Sequence, residues 1–210
     1  MKLITLLAVT FLFQAVSGQN NNSSIVKKLP SISVYNIKGE SFGLSTLGSG
    51  KVTVIDCWFL PCAPCFAEMP MLHDLYSKYK DNPNFQFLTL TRTDTSLVRP
   101  LIENQKTGNE IYQYFKTHSG LETFSLPVFF IPGCNEKLHN FNQSSVGFAG
   151  SNTPPENRNN CPDVIFGFTG FPTLMIFDKK GKLVYNVSGF SEKIEKQQME
   201  EIEKIITSKL

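Results

Sequence analysis

The sequence predicts an α/β fold with a central mixed sheet flanked by helices, on two observations. A β-branched strand, KVTVIDCWF, is followed by a helical segment from Cys62 to about Lys80 and by a second strand, FQFLTLT, at residues 85–91. This order predicts a parallel β–α–β crossover. Nearer the end of the sequence, PTLMIFD and KLVYNVSG flank the turn KKGK. That pattern predicts an antiparallel hairpin, so the sheet is expected to contain both strand directions.

The remaining elements follow in chain order. The segment SISVYNI at residues 31–37 indicates a strand, and GLSTLGSGK after it indicates a loop. The segment NEIYQYFKTH at residues 109–118 predicts a short helix. Ser191 is predicted to be the N-cap of a final helix that carries isoleucines on one side.

Composition and the first residues suggest one exported domain. The chain has 210 residues, of which 41% are hydrophobic, and its net charge of +2 is too small to indicate a nucleic-acid partner. Residues 1–18 combine a Met-Lys start, the apolar run LITLLAVTFLF and a small-residue exit, which predicts a cleaved signal peptide. An uncleaved anchor is less favoured, because a spanning helix needs about 20 apolar residues. We expect a polar linker at 19–30 and a domain at 31–210, soluble and either periplasmic or secreted.

The motif CAPC carries the predicted chemistry. Two cysteines at i and i+3 at a helix start are close enough for a disulfide. Cys62 would lie at the helix N-terminus, where free N–H groups and the helix dipole stabilise a thiolate, and would attack a substrate disulfide. Cys65, one turn deeper, would resolve the mixed disulfide. Many zinc sites also contain CxxC, but the sequence offers no second pair, and His73, His118 and His139 are scattered.

The surroundings of this motif resemble a known family. The pattern Trp58-x-x-x-Cys62-x-x-Cys65, between a strand and a helix, is similar to the thioredoxin active site. The continuation Cys65-x-x-Glu68-x-Pro70 is closer to the exported TlpA/ResA-type branch, and GFTGFPTLMIFDKKGKLV resembles that family's Gly-x-Pro-Thr strand and hairpin. The resemblance covers roughly residues 31–92 and 165–210. It implies a thioredoxin-like fold with a long polar insertion before the cis-proline strand.

The resemblance also implies a function. It indicates a thiol–disulfide oxidoreductase outside the cytoplasm that reduces oxidised protein substrates, with apocytochrome c among the candidates. A membrane electron donor would recharge it, and no bound cofactor or metal is implied. A copper- or metal-handling protein that uses the same cysteines is the alternative, although a copper-delivery protein of related fold would space them three residues apart. The direction of electron flow and the oligomeric state stay open at this point.

Further site residues follow from the same resemblance. Pro172 would be the cis-proline beside the CxxC, and the backbone of Phe171 would pair with an extended substrate segment, with Trp58 also binding substrate. Asp56, at the position of the buried thioredoxin aspartate, and Glu68 are candidate proton acceptors for Cys65, because a buried carboxyl group has a raised pKa. The alternatives are that Asp56 is satisfied by the backbone and that Glu68 is a solvated helix residue.

A long polar insertion and an unpaired cysteine lie outside the predicted redox motif. Residues 133–163 are rich in Asn, Ser, Gly and Pro without sustained periodicity, and Cys134 and Cys161 bracket them. We expect these two cysteines to form a structural disulfide, with a second redox pair as the alternative. Cys57 would then remain as a small buried residue, on the opposite face of its strand from its two neighbours. Pro61 departs from the family, which usually has Trp there.

Overall fold

The computed structural model describes residues 25–138, 152–193 and 195–210. The predicted signal peptide and part of the predicted insertion, including His139, lie outside these residues. The strands are β1 (Ser33–Asn36), β2 (Ser41–Gly43), β3 (Val52–Trp58), β4 (Phe85–Thr91), β5 (Val128–Phe130), β6 (Lys137–Leu138), β7 (Asn152–Thr153), β8 (Thr173–Phe177) and β9 (Leu183–Ser188). The helices are α1 (Leu44–Leu47), α2 (Ala63–Tyr79), α3 (Thr95–Ile102), α4 (Glu110–Ser119), α5 (Pro162–Phe166) and α6 (Glu195–Lys209), and a 3₁₀ turn spans Arg158–Asn160.

Seven strands form one mixed sheet in the order β2-β1-β5-β4-β3-β8-β9, and β6 and β7 form a separate small antiparallel pair. The strand β3 is parallel to β4, with α2 as the crossover between them, and antiparallel to β8. The predicted hairpin is the antiparallel pair β8–β9. Its turn is fixed by Asp178, whose Oδ1 accepts the backbone N–H groups of Lys180 and Lys182 at 2.9 Å each. The predicted mixed sheet is therefore confirmed.

The strand β3 separates two hydrophobic cores. All of its residues are buried, and alternate side chains point to opposite faces of the sheet. Val54 and Trp58 belong to the larger core cluster, which contains the buried faces of α2, α4 and α6. Ile55 and Cys57 belong to the smaller cluster, which includes residues of α1 and α5. Because both faces are covered, β3 is a continuous apolar run apart from two polar positions.

Local sequence signals account for the helices beside the sheet. The helix α2 begins directly after Cys62, and a proline in its first turn costs no hydrogen bond. The helix α4 begins after Asn109, whose Oδ1 accepts the N–H groups of Ile111 and Tyr112, and it ends at Gly120 with φ of 69°. The helix α6 begins at Glu195 instead of directly after Ser191, so the N-cap prediction for Ser191 is wrong.

Some short elements were not predicted. The segment predicted to be a loop contains the single-turn helix α1, and β2, β5 and α3 were missed. Elements of three or four residues carry too few periods to be recognised from sequence. The helix α3 contains Pro100, which argues against a helix in a sequence pattern.

The N-terminal segment corrects the predicted linker. Residues 25–30 lie within the predicted linker 19–30, but the structure packs them against the sheet. The N–H of Val26 donates to Phe166 O at 2.9 Å, that of Leu29 to Gly181 O at 2.7 Å, and that of Leu183 to Lys27 O at 3.0 Å. The side chain of Leu29 is buried. The bonds of Leu29 and Leu183 pair this segment with the hairpin turn and the start of β9, and the bond of Val26 joins it to α5, so the folded part of the chain includes these residues.

A disulfide between Cys134 and Cys161, with the Cα atoms 5.0 Å apart, closes the described ends of the insertion. Around it the N–H of Asn157 donates to Gly133 O at 2.8 Å, and the side-chain amide of Asn160 donates to Pro132 O at 2.7 Å. Both sulfurs lie in the smaller core cluster, together with Cys57. The base of the insertion is thus tied to the domain. Within the described part of the chain, no helix has the length and apolarity needed to cross a membrane.

We expect the double variant Cys134→Ala/Cys161→Ala to lose stability. Closing a loop of this length stabilises a fold by about 3.5 kcal/mol in the chain-entropy model, because it restricts the unfolded chain. The free energy of unfolding of both proteins, measured in denaturant with the Cys62–Cys65 bond oxidised, gives the difference. Mass mapping of the wild-type protein that finds both thiols free and Cys57 oxidised would contradict the pairing.

Candidate active site

The CxxC motif lies at the carboxyl end of β3 and the start of α2. Cys62 is the N-cap of α2, and its Sγ accepts the backbone N–H of Cys65 at 3.2 Å. The two cysteines form a disulfide with the Cα atoms 5.2 Å apart. Cys62 is 5% exposed and Cys65 is 1% exposed. Cys62 is therefore the more accessible of the two cysteines, and it lies where the helix dipole favours a thiolate.

The loop that leads into the motif is fixed by the end of β4. The N–H of Leu60 donates to Thr93 Oγ1 at 2.8 Å, and the N–H of Thr93 donates to Thr91 Oγ1 at 3.2 Å. The next peptide bond, Leu60–Pro61, is cis. Pro61, which directly precedes Cys62, is buried. The contribution of Thr93 was not predicted, because the sequence separates it from Leu60 by 33 residues.

Pro172 lies at the same end of the sheet. The Phe171–Pro172 peptide bond is cis, and β8 begins with Thr173, which is paired with Cys57 on β3. The N–H of Gly189 donates to Pro172 O at 2.7 Å, which anchors this segment to the end of β9. The Phe171 ring packs edge-on against Phe59 with 4.9 Å between centroids. The structure thus brings the Phe171–Pro172 segment beside the loop that precedes Cys62.

Trp58 does not lie on the surface of this site. Its side chain is fully buried, its Nε1 donates to Thr89 Oγ1 at 3.1 Å, and its ring packs near Phe66 and Phe124. Strand alternation turns it under α2, into the larger core. The predicted substrate contact of Trp58 is therefore corrected: the residue supports the site from within the core.

Two buried carboxyl groups lie near the motif in the fold. Asp56 and Glu68 are each 1% exposed, and within the described part of the chain Asp56 Oδ1 and Glu68 Oε2 are buried without a hydrogen-bond partner. Glu68 follows Cys65 by three residues, so the two side chains share one face of α2. The interpretation of Glu68 as a solvated helix residue is therefore excluded.

Burial controls the protonation of this pair. Desolvation raises the pKa of Asp56 to about 8, although the backbone N–H of Cys57 acts in the opposite direction. Desolvation, and then the charge of Asp56, raises the pKa of Glu68 well above its usual range. Near neutral pH Asp56 is therefore mostly protonated, with a minor ionised fraction, and Glu68 is protonated. Burial, and after it the charges of Asp56 and Asp163, also raises the pKa of Cys57 well above its ordinary value. This free cysteine therefore stays a thiol.

The CxxC motif has an arginine packed on two aromatic rings on one side and an open cavity on the other. On one side the guanidinium group of Arg92, directly after β4, lies 4.2 Å from the ring centroid of Phe59 and 5.2 Å from that of Phe171. Sequence reasoning missed this arginine, although a cation at the carboxyl end of a central strand is a usable signal. On the other side an open cavity of about 500 Å³ is lined by residues that include Pro64, His118 and Phe190.

No metal-binding cluster accompanies the motif in the part of the chain that the structure describes: those residues contain no group of three or more His, Cys, Asp or Glu side chains that could hold an ion. His73 lies 3.0 Å from the hydroxyl of Ser125 through Nδ1, and His118 packs against Tyr114 with 4.3 Å between ring centroids. The described histidines are thus engaged in separate local contacts.

The structure combines a cystine at the start of the helix that follows the central strand with an X–Pro bond that precedes an antiparallel strand at the same end of the sheet. This combination defines a protein of thioredoxin-like architecture. Solved structures agree. A Chlorobium tepidum protein described as the thiol:disulfide interchange protein DsbE superposes with a TM-score of 0.54 at 20% identity, covering 87% of this chain and 99% of that one. The thioredoxin domain of a thiol-disulfide oxidoreductase from Bacteroides vulgatus gives a TM-score of 0.51 at 18% identity, covering 87% and 98%.

The amino-acid sequence is also similar to those of curated proteins, independently of the structural comparison. The thiol-disulfide oxidoreductase ResA of Bacillus anthracis is 29% identical over 94 residues, which are 45% of this chain and 53% of that protein. A ResA of Bacillus cereus is 31% identical over 86 residues, or 41% and 49%. The chain spans about half the length of the curated relatives it matches, and no protein-family model matches it. The described residues therefore have the thioredoxin-like fold that the motifs predicted.

Proposed function

We propose that this protein is an extracytoplasmic thiol–disulfide oxidoreductase that reduces protein disulfides through Cys62 and Cys65. The observation that carries the proposal is the Cys62–Cys65 disulfide at the N-terminus of α2, with the more exposed cysteine at the N-cap. The names of the relatives, thiol-disulfide oxidoreductase ResA, support the same reaction class.

The reaction would proceed by two exchanges. The thiolate of Cys62 attacks one sulfur of the substrate disulfide, a mixed disulfide forms, and the other substrate sulfur leaves as a thiolate that takes up a proton. Cys65 then loses its proton and attacks Cys62 Sγ. The substrate's second sulfur leaves, and the Cys62–Cys65 bond closes. Two electrons and two protons pass to the substrate, which ends as a dithiol.

Asp56 and Glu68 would handle the proton of Cys65. A thiol attacks only after deprotonation, and Cys65 is shielded from bulk water. Because the pKa of Asp56 lies at about 8, an ionised fraction is present near neutral pH and can accept that proton. Glu68, on the same helix face as Cys65, would share the proton with Asp56, since the negative charge of one raises the pKa of the other.

The substrate would dock at the start of β8. An extended segment that contains the disulfide would pair with the backbone of Phe171, next to Pro172, by strand addition. The half-buried Phe171 ring offers apolar contact there. The cavity beside Pro64 would accept the chain on the other side of the disulfide.

Location and partners follow from the same features. The apolar N-terminal run is a predicted signal peptide, and a second disulfide between Cys134 and Cys161 is typical of proteins in oxidising compartments. A reductase in such a compartment needs a supply of electrons, so we propose a membrane electron donor. Its substrates would be oxidised exported proteins, with apocytochrome c as one candidate.

The reduction potential of the Cys62–Cys65 couple tests the direction. We expect a reduction potential of about −270 mV, as for thioredoxin, because the protein is proposed to donate electrons. Equilibration with defined dithiol–disulfide buffers, followed by separation of the oxidised and reduced forms, measures it. A value near about −120 mV would mean an oxidase, and a failure to exchange with any peptide disulfide would reject the oxidoreductase assignment.

A further inference from the structure

The guanidinium group of Arg92 lies in a cage of two phenylalanine rings and one carboxylate. It lies 4.2 Å from the Phe59 centroid and 5.2 Å from the Phe171 centroid, and its Nε lies 2.5 Å from Glu136 Oε2. A planar, delocalised cation suits this geometry, because it stacks on aromatic faces and binds a carboxylate at its edge. The Arg92 and Glu136 side chains are only 20% and 14% exposed, so solvent and salt screen the ion pair weakly.

The carboxylate comes from the base of the insertion. The N–H of Glu136 donates to Arg92 O at 2.8 Å, and the N–H of Asp94 donates to Glu136 O at 2.8 Å. Two residues before Glu136, the sulfur of Cys134 lies 3.8 Å from Arg92 O and is bonded to Cys161. The disulfide therefore holds the chain segment that presents Glu136 to Arg92.

The two rings flank the proposed substrate path. Phe59 lies three residues before Cys62, in the loop that Thr93 fixes through Leu60, and Phe171 directly precedes Pro172. Phe171 also packs edge-on against Phe168 at 5.1 Å between centroids. Arg92 thus joins the loop before the nucleophile to the start of β8, and Glu136 joins both to the insertion.

We propose that Arg92 is a positioning residue for substrate binding. Its guanidinium group, held by the carboxylate of Glu136, fixes the positions of the Phe59 and Phe171 rings. It thereby also fixes the backbone of Phe171, which receives the substrate chain. The proposal rests on the proposed function, since it concerns how that site binds a protein or peptide disulfide. The insertion thereby contributes to substrate recognition through its disulfide-anchored base. The contacts of Arg92 run to the rings and to Glu136, so its loss should weaken docking and leave the exchange chemistry intact.

Two disulfide substrates of different size separate docking from chemistry. We expect Arg92→Ala to raise the KM for a ten-residue peptide with an internal disulfide about fivefold to tenfold, with kcat within about twofold. For hydroxyethyl disulfide, which is too small to reach the rings and β8 together, kcat/KM should stay within about twofold. The Cys62–Cys65 reduction potential should not change.

Matched variants make the test specific. Arg99→Ala removes an exposed arginine from α3 that also pairs with a glutamate, and it should leave both substrates unaffected. Arg92→Lys keeps the charge but loses the planar stack, so it should retain most of the KM increase. It also serves as the test variant if Arg92→Ala does not fold. Glu136→Gln should raise the peptide KM in the same direction, and its effect should not add to that of Arg92→Ala.

Three results would overturn the proposal. They are an unchanged peptide KM in Arg92→Ala, wild-type behaviour of Arg92→Lys, and an equal loss of activity toward hydroxyethyl disulfide, which would indicate general damage to the site. Failure of the proposed function is distinguishable, because the wild-type protein would then reduce neither substrate.

Discussion

Replacing Cys62 with serine should reduce the rate of peptide disulfide reduction by at least about a thousandfold, because the attacking thiolate is lost. Replacing Cys65 with serine should have a different outcome. Cys62 can still attack, but nothing resolves the mixed disulfide, so a covalent adduct with the substrate should accumulate. The two variants separate the roles that the N-cap position of Cys62 and the deeper position of Cys65 imply.

Mass spectrometry without reductant measures the adduct, and a thiol-release assay measures the turnover. Cys57→Ala is the matched control, since this cysteine is buried on the opposite face of β3 and its thiol stays protonated. It should keep the turnover and form no adduct. Normal turnover by Cys65→Ser would contradict the two-cysteine mechanism.

The stability of the oxidised protein should fall as the pH rises from 5 to 8, and Asp56→Asn should remove much of this decline. The folded protein holds a proton on Asp56 up to a pKa of about 8, whereas the unfolded carboxyl releases it near 3.8. Between these values the unfolded state binds fewer protons, so each pH unit costs up to about 1.4 kcal/mol per proton. Over this range the loss for Asp56 alone reaches up to about 4 kcal/mol.

Denaturant unfolding at pH 5 and pH 8 tests this expectation. Asp56→Asn should be the more stable protein at pH 8, because the amide is already neutral and no charge has to be buried. Asp74→Asn, on the exposed side of α2, is the control and should retain the wild-type pH dependence. An identical slope in the wild-type protein and Asp56→Asn would show that Asp56 is not the buried acid.

With Asp56→Asn, resolution of the mixed disulfide by Cys65 should also slow above neutral pH.

The amino-acid sequence was sufficient for those features that depend on neighbouring residues. The apolar period after Cys62 and the proline in the first turn place the cysteines at a helix start. The β-branched run before them specifies β3, and the turn KKGK specifies the hairpin β8–β9. Spacing and periodicity are local properties, so one sequence contains enough information to predict them.

The tertiary structure decided the features that depend on what packs against each residue. Trp58 belongs to the predicted motif, yet strand alternation and the packing of α2 place its side chain in the core, away from the protein surface. Glu68 looked like a surface residue or a proton acceptor, and only the packing of α2 buries it and raises its pKa. The partners of Arg92 could not be named until the fold placed Phe171 and Glu136 around it, from positions about 80 and 44 residues further along the chain. Such contacts join distant segments, and their energies depend on burial and geometry that local periodicity does not contain.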